Sequence, residues 1–117
     1  MDNGKKVLII DDETDLCLLL KGYFLRKGYE VFISHSLYDG IAAVEDIKPD
    51  ILFIDNNLPD GAGWEKVPQI STAHPETFIC LVSAFHPAPP HMPANAKYSL
   101  IEKPIGLADL DRQFASL

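Results

Sequence analysis

Positive charge is scarce in this chain. Ten lysines and arginines stand against seventeen aspartates and glutamates, a net charge of −7. A nucleic-acid-binding surface is therefore not expected, because phosphate backbones call for basic patches. Cysteine is scarcer still, with Cys17 inside a helical pattern and Cys80 inside a strand pattern. Two thiols in apolar settings make no disulfide framework and read as small buried side chains. No apolar run is long enough to span a bilayer, and the N-terminus lacks the layout of a signal peptide. A reduced, cytoplasmic protein without a membrane partner is the expectation. There is no internal repeat and no linker, and 117 residues suit a single domain over 1–117, large enough to bury a core.

What is present alternates between two periods. Lys6 to Ile10 is a continuous aliphatic run, as in a parallel strand covered on both faces. Leu16, Leu19, Leu20, Tyr23 and Phe24 recur at helical spacing, with Gly28 as the stop. A second strand covers Glu30 to Ser34, and Leu37, Ile41, Val44 and Ile47 form a second helical stripe ended by Lys48-Pro49-Asp50. Ile51 to Ile54 is the third strand, Phe78 to Val82 the fourth and Tyr98 to Ile101 the fifth. Leu107, Leu110 and Phe114 give a last short helical stripe. Pro68 falls inside the expected third helix, so that helix begins late or is kinked. Four prolines between His86 and Pro93 stand where a fourth crossover helix belongs. That stretch is expected to run extended or turn-rich, with at most a short helical end near Ala94 to Lys97.

Strands alternating with helices imply an α/β domain with right-handed crossovers and a parallel sheet. Ligands of such sheets gather beyond the carboxyl ends of the strands. The residues there are Asp11 and Asp12 after the first strand, Asp55 after the third, Ser83 after the fourth and Lys103 after the fifth. Crowded carboxylates repel one another, and a hard divalent cation relieves that repulsion. Mg²⁺ prefers a few carboxylates, waters and phosphate oxygens. Lys103 can meet a phosphate oxygen, and the Ser83 hydroxyl can hydrogen-bond another. An aspartate beside Mg²⁺ is a competent nucleophile toward phosphorus.

Together these residues resemble the receiver domain of two-component response regulators. The resemblance rests on the acid pair after strand one, Asp55 after strand three, Ser83 followed by small Ala84, and Lys103-Pro104 after strand five. Leu58-Pro59 and Gly63 stand where the family places Pro and Gly after its acceptor aspartate. It implies a flavodoxin-like, doubly wound, five-stranded parallel sheet of order 2-1-3-4-5, here with the fourth helix degenerate or missing. It also implies that Asp55 accepts a phosphoryl group from a histidine kinase or histidine phosphotransfer protein. Mg²⁺ would be held by Asp12, Asp55 and the backbone carbonyl of Asn57, with Asp11 acting mostly through water. The implied protein is a switch or relay rather than a turnover enzyme, and a homodimer is compatible with it.

Other readings of the same residues stand beside this one. Asp11 and Asp12 can also be read as caps of the first helix, a job that Asp11 or Glu13 can share. His35, His74, His86 and His91 read as exposed loop residues rather than metal ligands, and Trp64 as packing at the start of the third helix. The family's usual Tyr or Phe three residues before the lysine is Leu100 here, with Tyr98 on the same strand face as the substitute. The readout is therefore expected to be damped. Phe85, two residues past Ser83, is expected to screen the phosphorus from water, whereas Asn57 can hold one. The alternative function is a pseudo-receiver, a docking module whose phosphorylation site is idle. A small phosphatase of the haloacid dehalogenase type ranks below both, because that family wants Asp-x-Asp after strand one and this chain reads Asp11-Asp12-Glu13.

Overall fold

The computed structural model describes residues 4–85 and 88–117. Met1, Asp2, Asn3, His86 and Pro87 lie outside the described residues, and with them the expectation for His86. Strand β1 (Lys6–Ile10) is followed by α1 (Thr14–Arg26), β2 (Glu30–Ser34), α2 (Leu37–Ile47) and β3 (Ile51–Asp55). After a two-residue ladder pairing Asn57–Leu58 with Gly61–Ala62, a 3₁₀ turn (Gly63–Lys66) leads into α3 (Val67–Ala73). Strands β4 (Phe78–Ser83) and β5 (Tyr98–Glu102) and helix α4 (Leu107–Phe114) complete the chain.

The five main strands form one parallel sheet in the order 2-1-3-4-5. Strands β1 and β3 are its centre, and burial on both faces explains their unbroken aliphatic sequences. Their side chains alternate between two cores. Val7, Ile9 and Phe53 pack with α1 and α4, while Leu8, Ile10, Leu52 and Ile54 pack with α2 and α3. Phe24 is fully buried and anchors the first core, its ring 5.2 Å from that of Phe114 and 5.7 Å from that of Phe53. Burying a side chain of this size contributes about 1.5–3 kcal/mol. The Tyr23 hydroxyl donates to Asp111 Oδ1 at 2.8 Å, tying α1 to α4.

Local chemistry sets the element ends. Gly28 has a φ of +86° just after α1, a conformation that costs glycine little. Ser36 caps α2 by accepting from the Asp39 amide at 3.2 Å, and Lys48 ends that helix in the left-handed region before Pro49. Pro68 occupies the first turn of α3, where its missing N–H has no partner to lose. The third helix accordingly starts late, as the sequence indicates. Between β4 and β5, described residues 88–97 contain no helix, only a turn closed by the Ala96 amide on the Pro93 carbonyl at 3.0 Å. One sheet face beside β5 is therefore left without a crossover helix.

Candidate functional site

Three strand ends meet at one edge of the sheet. Ligand oxygens of Asp11, Asp12 and Asp55 lie within 4.8 Å of one another. Asp11 follows β1 and Asp55 closes β3, and the two strands are hydrogen-bonded neighbours, so the topology itself brings the carboxylates together. Asp11 is 2% exposed and Asp55 3%, whereas Asp12 faces solvent. The backbone holds the cluster in place: Asp11 Oδ1 accepts the Glu13 amide at 2.8 Å, and the Asp11 carbonyl lies 3.0 Å from His35 Nδ1.

Lys103 is the counter-charge. Its Nζ donates to Asp55 Oδ2 at 3.3 Å and to Glu13 Oε1 at 3.0 Å, and it lies 3.2 Å from Asp11 Oδ2. Asp11 Oδ2 is nevertheless a buried oxygen that accepts no hydrogen bond, since that approach is an ion-pair contact only. Burial raises the pKa of Asp55, and the neighbouring Asp11 charge adds to the effect; Lys103 and the Asn57 amide oppose it. Burial raises that of Asp11 too, against the Glu13 amide and Lys103. For Lys103 burial pulls downward, but the Glu13 hydrogen bond and the charges of Asp11 and Asp55 outweigh it and hold the ammonium above its ordinary value. The three directions are consistent: one cation is shared among too many carboxylates.

A cavity of about 390 Å³ opens over this cluster, and Asp12, Asp55, Asn57, Ser83, Phe85 and Lys103 are among the residues that line it. All the strand-end residues singled out from the sequence thus reach one place. The Ser83 hydroxyl is engaged locally, donating to the Phe85 carbonyl at 2.6 Å and accepting the Phe85 amide at 3.1 Å.

Several sequence expectations need correction. Glu13 is the N-cap residue of α1, but neither it nor Asp11 caps the helix with a side chain. The Glu13 carboxylate is drawn to Lys103 instead. Phe85 lines the mouth of the cavity and is 79% exposed, so it does not close the site over Asp55. His74 is not a free loop residue: its Nε2 lies 3.1 Å from Glu45 Oε1, and its side chain is mostly buried. His35 is exposed as expected, yet it supports the Asp11 carbonyl. Trp64 is buried in the 3₁₀ turn ahead of α3, where its Nε1 donates to the Ile54 carbonyl at 3.1 Å.

Asp60 escaped sequence reading altogether. Its carboxylate accepts the Leu37 amide at 2.7 Å and the Tyr38 amide at 2.9 Å, so the loop after β3 is pinned to the first turn of α2. No local pattern could reveal a contact between residues so far apart in the chain.

Comparison with known proteins agrees with the geometry. Residues 7–114 match the family model of the response regulator receiver domain. The chemotaxis protein CheY of Thermotoga maritima is 34% identical over 84 residues, covering 69% of this chain and 68% of that protein. A CheY-like receiver domain protein from Methanospirillum hungatei superimposes with a TM-score of 0.80 at 25% identity, over 96% of this chain and 91% of that one. The response regulator TrrA, solved in complex with the histidine kinase ThkA, shares the fold at a TM-score of 0.75 and 21% identity, over 96% and 97% of the two chains. With its sheet order and its site at the strand ends, this chain belongs to the response regulator receiver domain family of two-component signalling.

Proposed function

We propose that Asp55 is the phosphoryl acceptor of this receiver domain and that the donor is a phosphohistidine of a histidine kinase or histidine phosphotransfer protein. The observation that carries the reading is the Asp55 carboxylate itself. It is almost fully buried at a strand end, yet opens on a cavity shared with Ser83 and Lys103. In the transfer, Asp55 Oδ attacks phosphorus, the donor's N–P bond breaks, and an acyl phosphate forms on Asp55 as the imidazole leaves. Charge spreads over the equatorial oxygens as this happens. Lys103 Nζ, 3.3 Å from Asp55 Oδ2, is placed to meet one of those oxygens. Ser83 can donate to another once it releases the Phe85 carbonyl.

The donor set fits Mg²⁺. Three carboxylates converge, all of them hard oxygen ligands, and the buried Asp11 Oδ2 lacks a hydrogen-bond donor. Asp12 and Asp55, with Asp11 and the carbonyl of Asn57, would hold the ion. When bound it supplies positive charge against the carboxylates and the phosphoryl oxygens. The kinase as partner class is supported by the complex of ThkA with TrrA, whose fold this chain shares. The domain then works as a phosphorylatable switch or relay rather than a turnover enzyme.

The test is the intact mass after incubation with acetyl phosphate and Mg²⁺. Wild type is expected to gain one phosphoryl group and Asp55→Asn none. A phosphoryl group retained on Asp55→Asn removes the assignment.

A further inference from the structure

The carboxylate of Glu13 has no role in the reading above, and its position is unusual. It belongs to the N-cap residue of α1, the position from which a Ser, Thr, Asp or Asn side chain would accept a helix amide. Here it makes no such bond and reaches instead across the edge of the site to Lys103 Nζ, the shortest of that ammonium's carboxylate contacts at 3.0 Å. It does so although it adds another negative charge beside Asp11 and Asp55. The two ends of the contact differ in environment. The Lys103 side chain is 11% exposed, and that of Glu13 is 58% exposed. Glu13 therefore lies on the solvent side of the ammonium, and Asp11 and Asp55 on the buried side.

An ammonium has three N–H donors on a long flexible stem. Left to itself, the head of such a side chain tends toward water. With acceptors on both sides it is confined, and one N–H remains directed at Asp55. We infer that Glu13 is a positioning residue for phosphoryl transfer: it anchors Lys103 from the solvent side so that the ammonium is already in place for a phosphoryl oxygen on Asp55. This rests on the phosphoacceptor reading of Asp55. Glu13 touches neither donor nor phosphorus and acts only through Lys103. The competing explanation is an ordinary exposed ion pair, and such pairs are worth little.

Two measurements decide between them. The first uses the protein without phosphodonor: the ¹H–¹⁵N signal of the Lys103 ammonium is compared in wild type and Glu13→Ala. Anchoring predicts a protected signal in wild type that is lost in the variant by faster exchange with water. An equal signal in both overturns the anchor, whatever Asp55 does. The second is a double-mutant cycle on the apparent affinity for beryllofluoride, a phosphoryl mimic, at fixed Mg²⁺. Glu13→Ala should weaken binding about threefold to tenfold, within the range of coupled contacts, and should have no such effect in a Lys103→Met background. A general electrostatic influence of Glu13 on the metal would persist in that background, so an equal loss in both overturns the proposal. Failure of wild type to take up beryllofluoride or acetyl phosphate would instead count against Asp55 as acceptor, and the ammonium signal would still judge Glu13.

Discussion

Gly63 packs so tightly against Asp55 that a Cβ at Gly63 would stand 2.2 Å from the Asp55 carbonyl oxygen and 2.9 Å from Ile54 Cγ1. Backbone cannot yield as a flexible side chain can, so no side chain fits there. Gly63→Ala is expected to destabilise the domain by about 1–3 kcal/mol, the usual cost of overpacking, and to displace the carboxylate that Asp55 presents. Gly22 is the control: inside α1, a Cβ there meets nothing within 4 Å. Gly22→Ala should stabilise by about 0.5–1 kcal/mol, because alanine gives up less freedom in a helix. Urea unfolding of both variants checks the contrast, and equal effects would contradict it.

Asp60 ties the loop after β3 to α2, and that tie has a pH dependence. The Leu37 and Tyr38 amides hold the Asp60 carboxyl below its ordinary value. A lowered folded pKa means that the ionised form supports the fold. That support is complete above the unfolded value of 3.8 and is lost as the pH falls through the folded value. Asp60→Ala is expected to lower Tm at pH 7, and the gap to wild type should close only in the acid range below the ordinary carboxylate value. A gap that keeps its size through that acid range would mean that Asp60 acts by packing and not by charge. Tm measured against pH for the two proteins provides the test.

The fold was legible where a single local rule decided it. Buried parallel strands read as unbroken aliphatic runs at Val7–Ile10 and Ile51–Ile54, Pro68 delayed the third helix, and the proline-rich stretch has no helix over its described residues 88–97. Asp11, Asp12, Asp55, Ser83 and Lys103 were legible because a parallel sheet gathers its strand ends. What stayed hidden depends on juxtapositions that no period encodes: Asp60 on the Leu37 amide, Glu13 on Lys103, His35 on the Asp11 carbonyl. The outward position of Phe85 is of the same kind. Its backbone is held by Ser83, and nothing in the local sequence tells which way the ring then turns.

Leu100 is half exposed beside a cavity of about 220 Å³ that it shares with Trp64, Leu81, Ser83 and Phe85. A leucine there has no polar tip to exchange between partners, and no crossover helix in residues 88–97 covers it. Couplings between sites are typically about 1–3 kcal/mol, and a contact this exposed carries little of that. On addition of beryllofluoride, backbone NMR shifts should be largest beside Asp55 and small at Leu100. Leu100→Tyr, which adds ring and hydroxyl toward Ser83, should enlarge the response at residue 100. Shifts at Leu100 as large as those beside Asp55 in wild type would contradict a damped readout.

The lifetime of phosphorylated Asp55 depends on whether a water can be held in line with the phosphorus–oxygen bond. Two side chains near the site bear on this, Asn57 and Phe85, and both line the cavity over Asp55. The Asn57 amide can hydrogen-bond a water; the Phe85 ring cannot. With Phe85 79% exposed, the ring neither orients a water nor seals the cavity against one. Phe85→Ala should therefore change the first-order loss of phosphate by less than about twofold. Phe85→Glu places a carboxylate at the same mouth, where it can accept a hydrogen bond from the attacking water. One such orienting contact is worth about 1.4 kcal/mol in the barrier, or tenfold in rate, so that variant should lose phosphate about ten times faster than wild type. If Phe85→Ala alone speeds the loss tenfold, the ring covers phosphorylated Asp55 after all, having turned inward from the position it holds here. That turn is a side-chain rotation, which the two bonds between the Ser83 hydroxyl and the Phe85 backbone leave free.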